Sequence, residues 1–159
     1  MIGLWYEDHA VGQAASLGSH TFTRDEIVAF AQKYDPQPFH LDEAAAAKSI
    51  FGGLVASGWH TVSVSMRLLV DGRRGQHQAA AAKGEAPPPL GLGRGVRDLR
   101  WTAPVKVGDT IAYSLRVESM REIRRPGWGL IGMRISGVNQ DGREVCAFTL
   151  FGLAARRSG

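Results

Sequence analysis

The segment that most limits what this chain can fold into begins at Ser57 and carries no charged residue until Arg67. Ser57 is a hydroxyl residue suited to capping a helix, Gly72 lies past the far end, and small or apolar side chains occupy every helical face between them. The pattern predicts a helix over residues 58–70 that is buried all round. It is shorter than the roughly 20 apolar residues a membrane span requires. Other parts of the protein must therefore wrap it.

The wrapping material follows downstream. Ile111, Tyr113, Leu115 and Val117 alternate with Ala112, Ser114, Arg116 and Glu118, the period of a strand with one buried face. Runs over residues 128–139 and 144–155 flank Asp141-Gly142, a hairpin turn signal. In the second run Val145, Ala147 and Phe151 share one face, and Cys146, Phe148 and Leu150 the other. Both faces of that strand read as buried. An earlier strand over residues 96–103 leads through Pro104 and Gly108-Asp109 into the first of these. Together the elements give an α+β class: one domain over residues 1–159, an antiparallel sheet curled around a central helix. A sheet apolar on both faces, with an open edge, also predicts a second copy, so a homodimer or higher homo-oligomer is expected.

In the N-terminal half, Thr23-Arg24-Asp25-Glu26 has the capping-box pattern and predicts a helix over residues 24–34. Pro36 disfavours the helical conformation at Asp35, so the helix stops there and the carboxylate projects from its end. Pro38 stiffens the loop that carries His40. Asp42 is placed to cap a short helix over residues 43–48, built on four alanines. Residues 71–95 combine Gly-Arg-Arg-Gly, an alanine run, three prolines and a glycine-rich string, and read as a flexible insert or lid.

With 159 residues, 44% of them hydrophobic, the chain can bury one core of its own. The net charge of +4 is spread over short clusters such as Arg73-Arg74, Arg124-Arg125 and Arg156-Arg157. A nucleic-acid reader shows a continuous basic stripe, so no nucleic-acid partner is expected and the charge suits solubility or an anionic small molecule. The single Cys146 cannot form an internal disulfide, and no charged start precedes an apolar export segment. A cytoplasmic location without membrane attachment is the expectation. His9, His20, His40, His60 and His77 show no HxH or HExxH spacing, and no metal site is expected.

An aspartate and a histidine five residues apart, taken alone, fit a helix terminus and a backbone-bonded loop histidine. Their surroundings say more. Asp35-Pro36-Gln37-Pro38-Phe39-His40-Leu41-Asp42, followed by Gly52-Gly53 and Ala56-Ser57-Gly58-Trp59-His60, resembles the MaoC-like dehydratases, the (R)-specific enoyl-CoA hydratases of the hot-dog fold. Further pieces match in order: Trp5-Tyr6-Glu7-Asp8, Val11-Gly12, Thr21-Phe22-Thr23 as a first strand, Phe30-Ala31, Leu99-Arg100-Trp101, Pro104-Val105 and Gly108-Asp109-Thr110. The resemblance spans residues 4–155.

It implies a sheet wrapped around a long central helix, and a reversible addition of water to a trans-2-enoyl thioester to give an (R)-3-hydroxyacyl thioester. Asp35 and His40 take the catalytic positions, and the Gly58 backbone N–H takes that of the thioester-oxygen donor. Gln37, Phe51, Ser57 and Trp59 would contact substrate. The substrate would be an acyl-CoA or acyl-carrier-protein thioester, with CoA entering as part of it and no separate cofactor. The chemistry suits these residue types. Imidazole exchanges protons near neutral pH, and the first amides of a helix have no intrahelical partner and lie at its positive end.

The sequence departs from the family pattern at Gln37, where asparagine is commoner, and at Ser57-Gly58-Trp59, where His-Gly-Met is usual. Trp59 either reshapes the acyl pocket or fills core. His60 is expected as a satisfied core histidine, and Ser63 and Ser65 have no assigned place. Arg97, Arg100 and the arginines of residues 71–95 are candidates for the CoA phosphates on charge alone. A hot-dog thioesterase and a non-catalytic acyl-thioester-binding subunit of a heterodimeric dehydratase are the competing functions. The Asp-Pro-Gln-Pro-Phe-His loop argues against the first, and retention of both Asp35 and His40 against the second.

Overall fold

The structure, a computed structural model describing residues 4–157, begins with a 3-10 turn at Tyr6–Asp8 and the strand β1 (Ala14–Thr21). Helices α1 (Arg24–Tyr34), α2 (Pro38–Leu41) and α3 (Glu43–Ala47) lead to the long α4 (Gly58–Ala82). Strands β2 (Gly93–Trp101), β3 (Thr110–Glu122), β4 (Trp128–Val138) and β5 (Glu144–Ala155) follow. All five strands share one sheet in the order β1-β3-β4-β5-β2, with every neighbour antiparallel. Helix α4 lies across one face, which is the hot-dog arrangement.

Helix α1 starts and stops where the capping and proline signals put it, with Thr23 Oγ1 accepting from the Glu26 amide. Glu26 does not reach back to the Thr23 amide. Its carboxylate accepts from the Thr23 hydroxyl and pairs with His20 on β1. The strand itself lies earlier than Thr21-Phe22-Thr23 suggested: it ends at Thr21, and Phe22 beyond it is fully buried. Small and polar residues and a bulge between Ser16 and Gly18 hide its alternation.

Helix α4 runs twelve residues past its expected end at Val70 and absorbs half of the supposed lid, so only residues 83–92 connect it to β2. Once a helix is nucleated, each further residue adds a hydrogen bond at little cost. The roughly 1 kcal/mol penalties at Gly72 and Gly75 are met by an Arg67–Asp71 ion pair one turn apart and by the Ala79–Ala82 run. The helix ends at Gly84, whose positive φ lets the Glu85 and Gly84 amides reach the carbonyls of Ala80 and Ala81.

The expectation of an all-round buried helix is corrected. Only His60, Thr61 and Ser65 of α4 are buried, while Trp59, Ser63, Arg67 and Val70 are exposed. Within one chain the sheet covers one side of α4 alone. On the sheet, residues 145–149 of β5 are buried on both faces, whereas the outward residues Ala112, Ser114, Arg116 and Glu118 of β3 are exposed. The doubly apolar character therefore belongs to β5 and not to the whole sheet. Strand β2 starts three residues earlier than expected and is an exposed edge, interrupted by bulges.

Two packed groups support the site. Phe22, Ile27, Leu54 and Val105 gather with Ile111 and Tyr113 under the start of α4, and Leu115, Val117, Ile131, Ile135 and Phe148 form the other half of the core. Tyr113 Oη donates to the Thr61 carbonyl at 3.0 Å, which fastens the first turn of α4 to the sheet. Among the described residues, no helix is long and apolar enough to cross a membrane.

Candidate active site

The site is assembled where α1 ends. Asp35 leaves the helical conformation at φ −152° and ψ 67°, while its own amide still donates to Ala31 O at 2.9 Å. Pro38 then sits at the first position of α2, where its fixed φ favours a helical start and its missing N–H is no loss. The expected stiff loop is thus a single helical turn. That turn brings His40 back beneath Asp35, with His40 Nε2 3.4 Å from Asp35 Oδ2.

His40 is 5% exposed, and its Nδ1 lies 2.7 Å from the Val55 carbonyl oxygen. A carbonyl only accepts, so Nδ1 carries a proton, and Nε2 is the ring nitrogen that faces Asp35. Val55 is itself held, its amide donating to Phe39 O at 3.3 Å while it bridges to Lys106.

Ser57 connects the pair to α4. Its hydroxyl donates to Asp35 Oδ2 at 2.6 Å and accepts from the Trp59 amide at 3.2 Å, so one atom both orients the carboxylate and caps the helix. Gln37 Nε2 donates to the other oxygen, Oδ1, at 2.9 Å. The Ser57 hydrogen bond is the main reason the Asp35 carboxyl is held below its ordinary value; partial burial opposes it, and Gln37 and His40 add to it. The next residue, Gly58, opens α4, and its amide has no hydrogen-bond partner among the described residues.

Asp35, Gln37, His40, Phe51, Ser57, Gly58 and Trp59 all line one cavity of about 470 Å³. The structure brings together every site residue read from the sequence. It adds Trp101, at the end of β2, whose indole lies flat against Gly58: a Cβ built on Gly58 would fall 2.5 Å from Trp101 Cε2. Trp59 meets Trp101 edge to face at 5.2 Å and is 56% exposed, so it stands at the cavity rim and does not fill core. Sequence reasoning used Trp101 only as part of a matching motif. An aromatic residue just ahead of the Pro104 turn was the available signal.

His60 lies outside the cavity. It is buried, stacked on Phe30 at 4.6 Å, with its Nε2 4.0 Å from Glu26 and its Nδ1 unpartnered, so it is a core histidine but not a fully satisfied one. Ser63 and Ser65 bond to carbonyls of their own helix. Among the described residues no arginine lines the cavity, and Arg97 places its guanidinium over the Phe151 ring. Among the described residues no cluster of three His, Cys, Asp or Glu side chains is placed to hold a metal ion.

The fold is the hot-dog fold. The MaoC like domain family model matches residues 8–134, and the chain belongs to that family. Protein MaoC of Klebsiella aerogenes is 33% identical over 112 residues, 70% of this chain and 30% of that protein. YdeM of Bacillus subtilis (strain 168) is 35% identical over 65 residues, 41% of this chain and 46% of that protein. The matched stretches thus span less than half the length of these curated relatives. Among solved structures, a MaoC-like dehydratase from Rhodospirillum rubrum is 36% identical with a TM-score of 0.81, covering 99% of this chain and 100% of that one. An (R)-hydratase from A. caviae involved in PHA biosynthesis is 28% identical with a TM-score of 0.64, covering 91% and 96%.

Two outcomes follow from the geometry. Gly58→Ala is expected to destabilise the protein by about 1–3 kcal/mol through overpacking against the indole, and Trp101→Ala in the same chain is expected to relieve most of that loss. An equal drop in melting temperature in both backgrounds would contradict the contact. Ser57→Ala removes the cap, costing about 1 kcal/mol, and the hydrogen bond that favours ionised Asp35. The Asp35 carboxyl should then titrate at higher pH by NMR. A folded-state value below the unfolded one stabilises the protein above the unfolded value and ceases to as pH falls through the folded one. The variant should therefore lose less stability on acidification, and an unmoved titration would refute the assignment.

Proposed function

We propose that this chain is an enoyl-thioester hydratase, adding water reversibly to a trans-2-enoyl thioester to give the (R)-3-hydroxyacyl product. The observation that carries the reading is the acid/base pair, Asp35 Oδ2 and His40 Nε2, 3.4 Å apart in a cavity that also holds the Gly58 amide, unpartnered among the described residues. Such a pair holds one water against it, and the member acting as base takes one of its hydrogens and leaves an oxygen lone pair free to attack. The oxygen bonds to C3, and the C2–C3 π electrons move toward the thioester carbonyl. The Gly58 N–H at the positive end of α4 stabilises the enolate oxygen that forms. The proton lost by the water passes to the Asp35/His40 pair and from there to C2 as the enolate collapses.

Atoms and charge balance with one water consumed, and the overall oxidation level is unchanged, so the reaction draws on no redox cofactor. The thioester carrier is CoA or an acyl-carrier protein and enters with the substrate. Attack at C3 is favoured over hydrolysis at the carbonyl because the acid/base pair provides both the nucleophile and the proton that C2 requires. The lone, buried Cys146 fits a reducing cytoplasm.

A second copy is the proposed partner. Strand β2 is an unpaired edge with Val96 48% and Trp101 46% exposed, and Trp59 and Val70 are exposed on α4. Strand pairing across two β2 edges would cover apolar surface at the cavity rim. Sedimentation of the wild type at micromolar concentration is expected to show a dimer, and a monomer would reject the pairing.

Wild type should bleach the conjugated absorbance of a short enoyl thioester. Asp35→Asn and His40→Ala are each expected to lower kcat roughly 100- to 10,000-fold with unchanged circular dichroism. Activity surviving in either variant, or folded wild type inactive on short, branched and long enoyl thioesters alike, would reject the hydratase reading.

A further inference from the structure

A second cavity, of about 40 Å³, lies between the sheet and the middle of α4. Arg73 on its wall stands about 22 Å along α4 from Gly58 at 1.5 Å per residue. Leu68 and Leu69 of α4, Leu17 of β1, Leu115 of β3 and Met133 of β4 make the apolar floor, and the polar groups facing it include His9 and Arg73.

His9 is 7% exposed, and neither of its ring nitrogens has a hydrogen-bond partner. Buried polar groups in native proteins are almost always hydrogen-bonded, so a ring with both nitrogens unpartnered beside a cavity marks a place for a ligand. Arg73 is half-buried with no ion-pair partner among the described residues, and burial alone pushes its pKa down. Asp8, the acid that acts on His9, is already engaged by Arg157 at 2.7 Å and by the Trp5 amide at 3.0 Å. Burial, and then Arg73, push the His9 pKa down to about 4 against the pull of Asp8, so at neutral pH the ring is uncharged with one N–H to give. The lining residues of β1, β3 and β4 carry no charge.

The uncompensated guanidinium selects an anion. A fork of N–H donors with an imidazole N–H beside it matches the two oxygens of a carboxylate. Phosphate or sulfate would turn further oxygens against leucine and methionine side chains and leave them unpaired. A water needs about 10–15 Å³ of such space, so the cavity has room for roughly three or four heavy atoms. We propose that this cavity binds an acetate-sized monocarboxylate, its carboxylate on Arg73 and His9 and its methyl end against Leu68, Leu69 and Leu115. The site is separate from the catalytic cavity, and its occupancy does not depend on the hydratase reading.

The test is titration calorimetry on the full chain with sodium acetate, run beside sodium chloride at equal ionic strength and beside sodium phosphate. Saturable acetate binding is expected in wild type, weakened at least tenfold in Arg73→Met and in His9→Phe, and retained in Asp35→Asn. Either of the first two variants suffices should the other fail to fold. The proposal is overturned by absence of acetate binding in wild type, which would leave a cavity that holds only water. Equal binding of phosphate, or affinity unchanged in the cavity variants, would also overturn it. So would affinity lost in Asp35→Asn, which would place the carboxylate in the catalytic cavity.

Discussion

Ser57, a residue only 1% exposed, carries the hydroxyl on which the site's geometry turns. It caps α4 through the Trp59 amide and donates to Asp35 in the same position, so the helix end that carries the Gly58 amide and the carboxylate of the acid/base pair cannot move independently. A hydrogen bond to a charged group contributes about 1.5–3 kcal/mol, more than an exposed ion pair would. Tyr113 extends the connection to the sheet by holding the Thr61 carbonyl one turn further along. Sheet, helix end and carboxylate are thereby linked through two side-chain hydroxyls.

The histidine is fixed from the opposite side. Pro38 starts the one turn that aims His40 at Asp35, and the Val55 carbonyl sets which ring nitrogen carries the proton. The neighbouring amide of Ala56 donates to Val105 O at 2.8 Å, so the segment between α3 and α4 is tied to the connection between β2 and β3. A displacement there would rotate the imidazole and change the acceptor that the site presents. The preorganisation resides in backbone carbonyls and loop pairing as much as in the catalytic side chains.

Much of this was legible in the sequence where one local rule acted alone. Thr23 and Pro36 bounded α1, the alternation from Ile111 to Val117 marked β3, and Asp141-Gly142 marked the hairpin. The cavity residues were legible because Asp35, His40 and Ser57-Gly58 stand in short motifs. Readings failed where tertiary context overrode local composition. Gly72 and Gly75 suggested an end to α4, yet anchoring of its first turns and the alanines beyond carried it to Ala82. The absence of charge before Arg67 suggested burial on every face, although small residues such as Ser63 are as compatible with an exposed side. β1 stayed hidden because a bulge breaks its period, and Trp101 because its approach to Gly58 joins residues far apart in the chain.

The central claim is that Asp35, His40 and the Gly58 amide direct water to C3 and a proton to C2. The most direct measurement is NMR of the product formed from a trans-2-enoyl thioester in deuterated water. The account predicts an intact thioester bearing an (R)-hydroxyl at C3 and a single deuteron at C2. A free carboxylic acid and thiol, with the C2–C3 double bond retained, would show attack at the carbonyl and contradict it.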